Sequence, residues 1–230
     1  MKKRRTLNRF TKQKTVIFCI PGRVFSDKFL QSFSTLLGWC YNNNIKPILS
    51  NSYNPVVYYA RNECLGGDTL KGIEQKPFQG EIDYDYIMWI DSDMVFEPKD
   101  FKALLDMNRD VASGIYKTKN NKNYATVLKM IREDYIQKGT YEFLNDKELK
   151  ILPDEFRVDY TGFGWILFKK GILEKIKYPW FRPYWYNYGK NIKEFTSEDV
   201  GICRSLREEG VHIIVNKNLV IGHEKSCVLR

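Results

Sequence analysis

Two carboxylates one residue apart, Asp91 and Asp93, close the apolar run Tyr86-Ile87-Met88-Trp89-Ile90. A run of that length bounded by polar residues predicts a buried strand. Carboxylates at its end are costly unless they are paired, hydrogen-bonded or metal-bound. In an extended chain residues i and i+2 point the same way, so Asp91 and Asp93 are expected to face one object together. A hard divalent cation carrying a diphosphate suits such a pair. Mn2+ or Mg2+ held there would act as a Lewis acid on a departing diphosphate. His223 follows Gly222 after a terminal apolar stretch, where a strand could deliver it as a third ligand. An imidazole ligand tilts the choice toward Mn2+. His212, within Val211-His-Ile-Ile-Val215, reads as an ordinary strand residue.

Other candidates carry a plain reading beside a chemical one. Glu198-Asp199 opens a helix, where acids offset the helix dipole and cap the first turn. A helix start facing a cleft is also a good mount for a general base. Thr161-Gly162-Phe163-Gly164-Trp165 is either a bulge or turn, or a close backbone approach to a sugar with Trp165 stacking on it. Arg61-Asn62 is either exposed helix surface, or Arg61 pairs with a diphosphate or a nearby acid. The segment 178–188, dense in aromatics, is either core or a carbohydrate-facing wall.

These residues need elements to hold them. Thr15–Ile20 predicts a first buried strand stopped by Pro21-Gly22. Ser26 caps a helix with Phe29, Phe33, Leu36, Leu37 and Cys40 at helical spacing, ended by Asn42-Asn43-Asn44. Ile45–Leu49 is a second strand, Pro55 starts a helix to about Leu65, and residues 68–83 are loop-rich. After the acidic pair, Pro98 opens a helix to about Met107 and Val111–Tyr116 returns as a strand. Tyr124–Ile131 reads as a strand, the polar stretch to Pro153 as a surface excursion, and Lys170–Ile176 as a helix. A helix from Glu198 to Glu209 precedes strands at Val211–Val215 and Leu219–Ile221. The alternation of strand and helix predicts an α/β protein with a mainly parallel sheet. Ligands in such sheets sit beyond the carboxyl ends of the strands, where Asp91, Asp93 and Pro21-Gly22 fall.

The 230 residues, 43% hydrophobic and 15% aromatic, suit one domain. No apolar run reaches the roughly 20 residues of a membrane span, and residues 1–14 lack the pattern of a secretory signal. Cys19, Cys40, Cys64, Cys203 and Cys227 have no metal-ligand spacing and are read as reduced, which points to a cytoplasmic setting. Seven positive side chains and no acid lie in residues 1–14, so the rest carries only +2 of the net +9. That basic, flexible leader could touch a membrane surface peripherally, nucleic acid or nothing.

The order of these pieces, from Ile17-Phe-Cys-Ile-Pro21 through Ala60-Arg61-Asn62, Trp89-Ile-Asp91-Ser-Asp93, Tyr160-Thr-Gly-Phe-Gly164 and Ser197-Glu-Asp-Val200 to Gly222-His223, resembles the GT-A-fold glycosyltransferases. The likeness is to the inverting family-2-like branch, which includes small viral and phage enzymes. It implies a single GT-A domain over 15–230, with a nucleotide-sugar-binding half at 15–117 and an acceptor-binding half at 118–230. By that resemblance Asp91, Asp93 and His223 hold Mn2+ (or Mg2+), and Pro21, Arg61, Asn62, Asp91 and Ser92 lie along a UDP- or GDP-linked sugar. Asp199 is the general base, and Gly162, Phe163, Gly164, Trp165 and Glu198 line the sugar and acceptor cleft. The acceptor is a glycan or glycoprotein.

Three rivals remain at this stage. A retaining transferase differs in product anomer. A nucleotidyltransferase shares the metal chemistry but normally has a glycine-rich basic loop, for which Ile20-Pro21-Gly22-Arg23 is a poor substitute. A nucleic-acid-binding protein suits the basic charge, yet leaves the buried acidic pair unexplained.

Overall fold

The computed structural model describes residues 12–189 and 191–225. The basic leader up to residue 11 and Cys227 lie outside them. Five strands run in one direction: β1 (Lys14–Pro21), β2 (Ile45–Ser52), β3 (Tyr86–Ile90), β5 (Val111–Ile115) and β12 (Ile213–Val220). Between β3 and β12 in sequence come the short β4 (Met94–Val95) and β6 (Thr126–Val127), then β7 (Glu155–Val158), β8 (Tyr160–Thr161), β9 (Trp165–Lys169) and the hairpin β10 (Trp185–Gly189) and β11 (Ile192–Phe195). The chain closes on β13 (Gly222–His223). The main sheet has the order β2-β1-β3-β9-β5-β12-β7, with β9 and β7 antiparallel to their neighbours. It is the expected mixed, mainly parallel sheet. The two expected halves share it, because β9 from the second inserts between β3 and β5 of the first.

Both faces of this sheet are covered, and β3 shows why its sequence is apolar throughout. Ile87 and Trp89 pack into one hydrophobic layer, Met88 and Ile90 into the other. A strand buried on both faces has no polar side to display. The helices α1 (Asp27–Asn42) and α3 (Pro98–Met107) cover one face. Ser26 caps α1 as expected, its hydroxyl accepting from the Phe29 amide at 3.1 Å, and Phe29, Phe33, Leu36 and Cys40 are its buried stripe. Pro98 takes the first position of α3. The other face carries α2 (Val57–Cys64) and α6 (Glu198–Glu208).

Three expectations change. The polar stretch from Ile131 to Pro153 is not bare surface: it carries α4 (Arg132–Lys138) and α5 (Asp146–Ile151), the latter started by a capping box between Asn145 and Glu148. The strand expected over Tyr124–Ile131 shrinks to β6. The helix expected from Lys170 to Ile176 is a turn followed by one 3-10 turn at Leu173–Lys175. Its apolar residues Ile172, Leu173 and Ile176 are buried, but Gly171 at φ +88° breaks any longer helix at its start.

The aromatic segment proves mainly structural. Trp180, Phe181 and Tyr188 are buried, whereas Trp185 stays 59% exposed. Cys19, Cys40, Cys64 and Cys203 are free and buried. Among the described residues no helix is long and apolar enough to cross a membrane.

Candidate active site

The end of β3 does not continue as an extended strand. The Met94 amide donates to the Asp91 carbonyl at 3.1 Å, turning the chain between the two carboxylates. Asp91 and Asp93 therefore do not share one direction, as strand alternation predicts, although both line one cleft of about 270 Å³ with Pro21, Gly22, Tyr53, Asn54, Arg61 and Ser92. Gly22, at φ +146°, closes the cleft floor. A Cβ there would lie 3.0 Å from the Ser92 Cβ, so only glycine permits the approach.

Asp91 faces Arg61. The guanidinium donates through Nη2 to Asp91 Oδ1 at 3.0 Å and Oδ2 at 3.3 Å, and through Nε to Glu198 Oε1 at 3.3 Å. Its Cζ lies 5.6 Å from the Trp89 ring centre, 5.7 Å from Phe163 and 5.6 Å from Phe181. Burial alone would lower the Arg61 pKa, but Asp91, Glu198 and Asp199 outweigh it and raise it, keeping the charge fixed. Nη1 is buried without a hydrogen-bond partner. The Glu198 carboxyl is pushed up by burial and then by Asp199, against the pull of Arg61.

Asp93 faces the C-terminal strand. Pairing of β13 with β4 sets His223 opposite Met94, and the Glu224 amide donates to the Asp93 carbonyl at 2.8 Å. Gly222 allows this pairing, since a Cβ would stand 2.9 Å from the Val95 carbonyl oxygen. His223 Nδ1 donates to the Lys117 carbonyl at 2.7 Å, which turns Nε2 toward Asp93 Oδ2 at 3.2 Å. Lys225 Nζ donates to the same Oδ2 at 2.5 Å. Burial opposes ionisation of Asp93, yet the His223 and Lys225 contacts prevail and hold its pKa down at about 2. Burial would lower the His223 pKa; the contacts with Asp93 and the Lys117 carbonyl raise it instead.

The donor set Asp91, Asp93 and His223 is thus divided. Among the described residues no group of three or more His, Cys, Asp and Glu side chains is arranged to hold an ion. Asp93 and His223 do fit one. They offer an ionised carboxylate and an imidazole nitrogen whose tautomer is set by a backbone carbonyl, and the Lys225 ammonium stands where a cation would sit.

Asp199 opens α6. Its Oδ2 accepts from the Tyr160 hydroxyl at 2.8 Å, and Oδ1 accepts from the Val200 amide at 2.9 Å and from the Ser197 hydroxyl. The N-cap of α6 is Ser197, which makes no side-chain capping bond, so the capping role expected of the acids there is not seen: the one amide from which Asp199, second in the helix, accepts is that of the next residue. The phenol contact is additional. Burial, then Asp199, push the Tyr160 pKa far up, so Tyr160 remains a donor.

Gly162 and Gly164 admit Tyr116. A Cβ on Gly162 would lie 2.1 Å from the Tyr116 hydroxyl, and one on Gly164 3.0 Å from it. The Gly164 amide donates to that hydroxyl at 3.1 Å. Phe163 and Trp165, expected to line a sugar cleft, are 1% and 0% exposed and touch no cleft. They belong to the core: Phe163, in the turn before β9, packs on Phe181 at 5.2 Å, and Trp165, the first residue of β9, packs on Phe96 at 4.6 Å. Asn62 is likewise withdrawn from any ligand. Its amide donates to the Tyr58 and Phe181 carbonyls, 2.7 Å each, and accepts from the Phe181 amide at 3.2 Å, pinning the aromatic segment to α2. Tyr116, Tyr53 and Lys225 were not anticipated, and Tyr160 entered only as the first residue of the Tyr160–Gly164 motif, without a role. Lys225, two residues after His223, and Tyr160, through that motif, carried a signal in sequence; Tyr116 and Tyr53 did not.

No protein-family model and no curated protein sequence matches this chain. Among solved structures it is similar to A197 from STIV, at 19% identity over 94% of this chain and 97% of that one, with a TM-score of 0.53. It is also similar to glucosyl-3-phosphoglycerate synthase from Mycobacterium tuberculosis with Mn2+, UDP and phosphoglyceric acid (11% identity, 94% and 72%, TM-score 0.47). A third likeness is to inositol-1-phosphate CTP transferase from T. maritima (10%, 93% and 89%, TM-score 0.41). The fold is of the GT-A type.

Proposed function

We propose that the protein is a metal-dependent, inverting glycosyltransferase that moves a sugar from a nucleoside-diphosphate sugar to an acceptor hydroxyl. One observation carries this reading: an Asp93–His223 pair and an Asp199–Tyr160 pair stand on either side of a buried Arg61–Asp91–Glu198 ion network, at the carboxyl end of the sheet. Asp93 and His223 would hold Mn2+ or Mg2+, with phosphate oxygens and water completing the shell. The ion, when bound, stabilises charge on the departing diphosphate. Pro21, Gly22, Ser92 and Tyr53 supply the walls along the nucleotide. Arg61 orients Asp91 and Glu198 and touches both halves of the site. Asp199, aimed by the Tyr160 hydroxyl, takes the acceptor proton as the acceptor oxygen attacks the anomeric carbon from the face opposite the diphosphate.

Calorimetry with UDP and with GDP, in Mn2+ and in EDTA, tests the donor side. Binding of one of them that needs the metal, and that is lost in a folded Asp93→Ala variant, is the expected result. Equal affinity in Asp93→Ala and wild type would remove Asp93 from the metal site and the reading with it.

A further inference from the structure

A groove of about 300 Å³ opens beside the first turn of α6, bordered by Met130, Tyr141, Tyr186, Thr196, Arg204 and Glu208. Val200, the residue after Asp199 in the first turn of α6, also borders it, although Asp199 itself does not. Its outer wall is fixed. The Tyr184 and Thr196 backbones are joined by the Thr196 amide on the Tyr184 carbonyl at 2.9 Å, and the Tyr184 amide donates to the Thr196 hydroxyl at 2.9 Å. The Tyr184 hydroxyl sits 2.9 Å from the Ser205 hydroxyl on α6. Gly201 permits this seating, because a Cβ would fall 2.0 Å from the Arg182 carbonyl oxygen. A wall tied to the catalytic helix keeps its geometry when a ligand enters.

The chemistry of the groove selects a class of ligand. Arg204 lies over the Tyr184 and Tyr186 rings, at 4.9 and 5.5 Å, and donates from Nε to Glu208 at 2.8 Å. Arg207 donates to the Asp159 carbonyl at 3.2 Å and pairs with its carboxylate at 3.4 Å. Each cation already has a carboxylate, so the groove offers no uncompensated charge to a phosphate. It does offer further N–H donors and the Glu208 carboxylate beside the half-buried rings of Tyr141 and Tyr186, which are held in place by Tyr135 at 5.1 Å and Tyr188 at 4.6 Å respectively. Flat aromatic faces for C–H groups and paired Arg–Glu edges for hydroxyls are complementary to a neutral pyranose.

We propose that this groove is the acceptor subsite and that it binds a neutral hexopyranoside, with Tyr186 and Tyr141 as its platform and Arg204 and Glu208 on its hydroxyls. This rests on the glycosyl-transfer reading and names the acceptor side of that site.

Saturation-transfer NMR with methyl glucosides, galactosides and mannosides, in the presence of nucleoside diphosphate and Mn2+, tests it. Wild type should bind at least one of them, and Tyr186→Ala should bind it about tenfold more weakly. Trp185→Ala, on the opposite face of the same hairpin where Trp185 and Phe195 stack in solvent at 59% and 62% exposure, should bind as wild type does. Absence of saturation transfer to every glycoside in wild type would overturn the proposal. So would loss in Trp185→Ala with retention in Tyr186→Ala, which would move the sugar to the outer face, or displacement by inorganic phosphate, which would make the ligand anionic. Nucleotide calorimetry reports on the donor side separately: glycoside binding without nucleotide binding would refute the transferase reading and leave the groove a sugar site.

Discussion

At the scale of single residues, the site is built from charges that are already partnered. Arg61 holds Asp91 and Glu198, and Lys225 holds Asp93 beside His223. On the proposed reading, a divalent ion at Asp93 would displace a lysine rather than fill an open carboxylate cage. Both partners of the Lys225–Asp93 pair are part-exposed, and such pairs are worth roughly 0–1 kcal/mol. Lys225→Ala is accordingly expected to bind Mn2+ about two- to fivefold more tightly in the absence of nucleotide. Titration of wild type and variant, followed by manganese relaxation, decides it. Unchanged or weaker binding would mean that Lys225 does not compete for Asp93.

At the scale of elements, packing explains which residues came together. Tyr116, one residue beyond β5, places its hydroxyl where side chains at 162 and 164 would be, so the two glycines and the tyrosine form one unit. Gly162→Ala should cost about 1–3 kcal/mol through overpacking. Tyr116→Phe strands the Gly164 amide and should cost about 1–3 kcal/mol alone. In the double variant the phenylalanine lacks the clashing oxygen, so the combined cost should fall below the sum by more than about 1 kcal/mol. Urea denaturation of the four proteins measures this, and simple additivity would show that the contact does not matter. The same region marks where sequence stopped being legible. The buried strands, α1, α3 and α6 follow from apolar runs, spacing and caps, and the site's place follows from β3 ending in Asp91. The roles of Phe163, Trp165 and Asn62 did not follow, because burial depends on partners far along the chain: Phe181 closes over Phe163 and Asn62, and Phe96 over Trp165. The turn that separates Asp91 from Asp93 is hidden for a related reason. Strand alternation holds only while the strand lasts, and β3 ends at Ile90.

At the scale of the whole molecule, the seven-stranded sheet and the separate β4–β13 pair gather residues from distant parts of the sequence. β9 inserts between β3 and β5, which sets Gly164 against Asp91, its carbonyl accepting from the Asp91 amide at 3.1 Å. β13 returns to β4 and brings His223 to Asp93 across 130 residues. α6 presents Glu198 to Arg61 and Asp199 to Tyr160. Arg61 bonds Asp91 and Glu198, the neighbours of Asp93 and Asp199, and on the proposed reading this brings the metal-holding pair and the base pair together as transfer from a bound donor to a neighbouring acceptor requires. The direct test is release of nucleoside diphosphate from a panel of UDP- and GDP-sugars by wild type and by Asp199→Asn, with and without EDTA, alongside nucleotide affinity and melting temperature. Asparagine keeps the size of aspartate and retains a carboxamide oxygen to accept from the Tyr160 hydroxyl, but it cannot take the acceptor proton. The account predicts release that EDTA abolishes and that Asp199→Asn lowers by roughly 10²–10⁴-fold, with nucleotide affinity and melting temperature kept. Near-wild-type release by Asp199→Asn, or pyrophosphate release from a nucleoside triphosphate in place of sugar transfer, would contradict it.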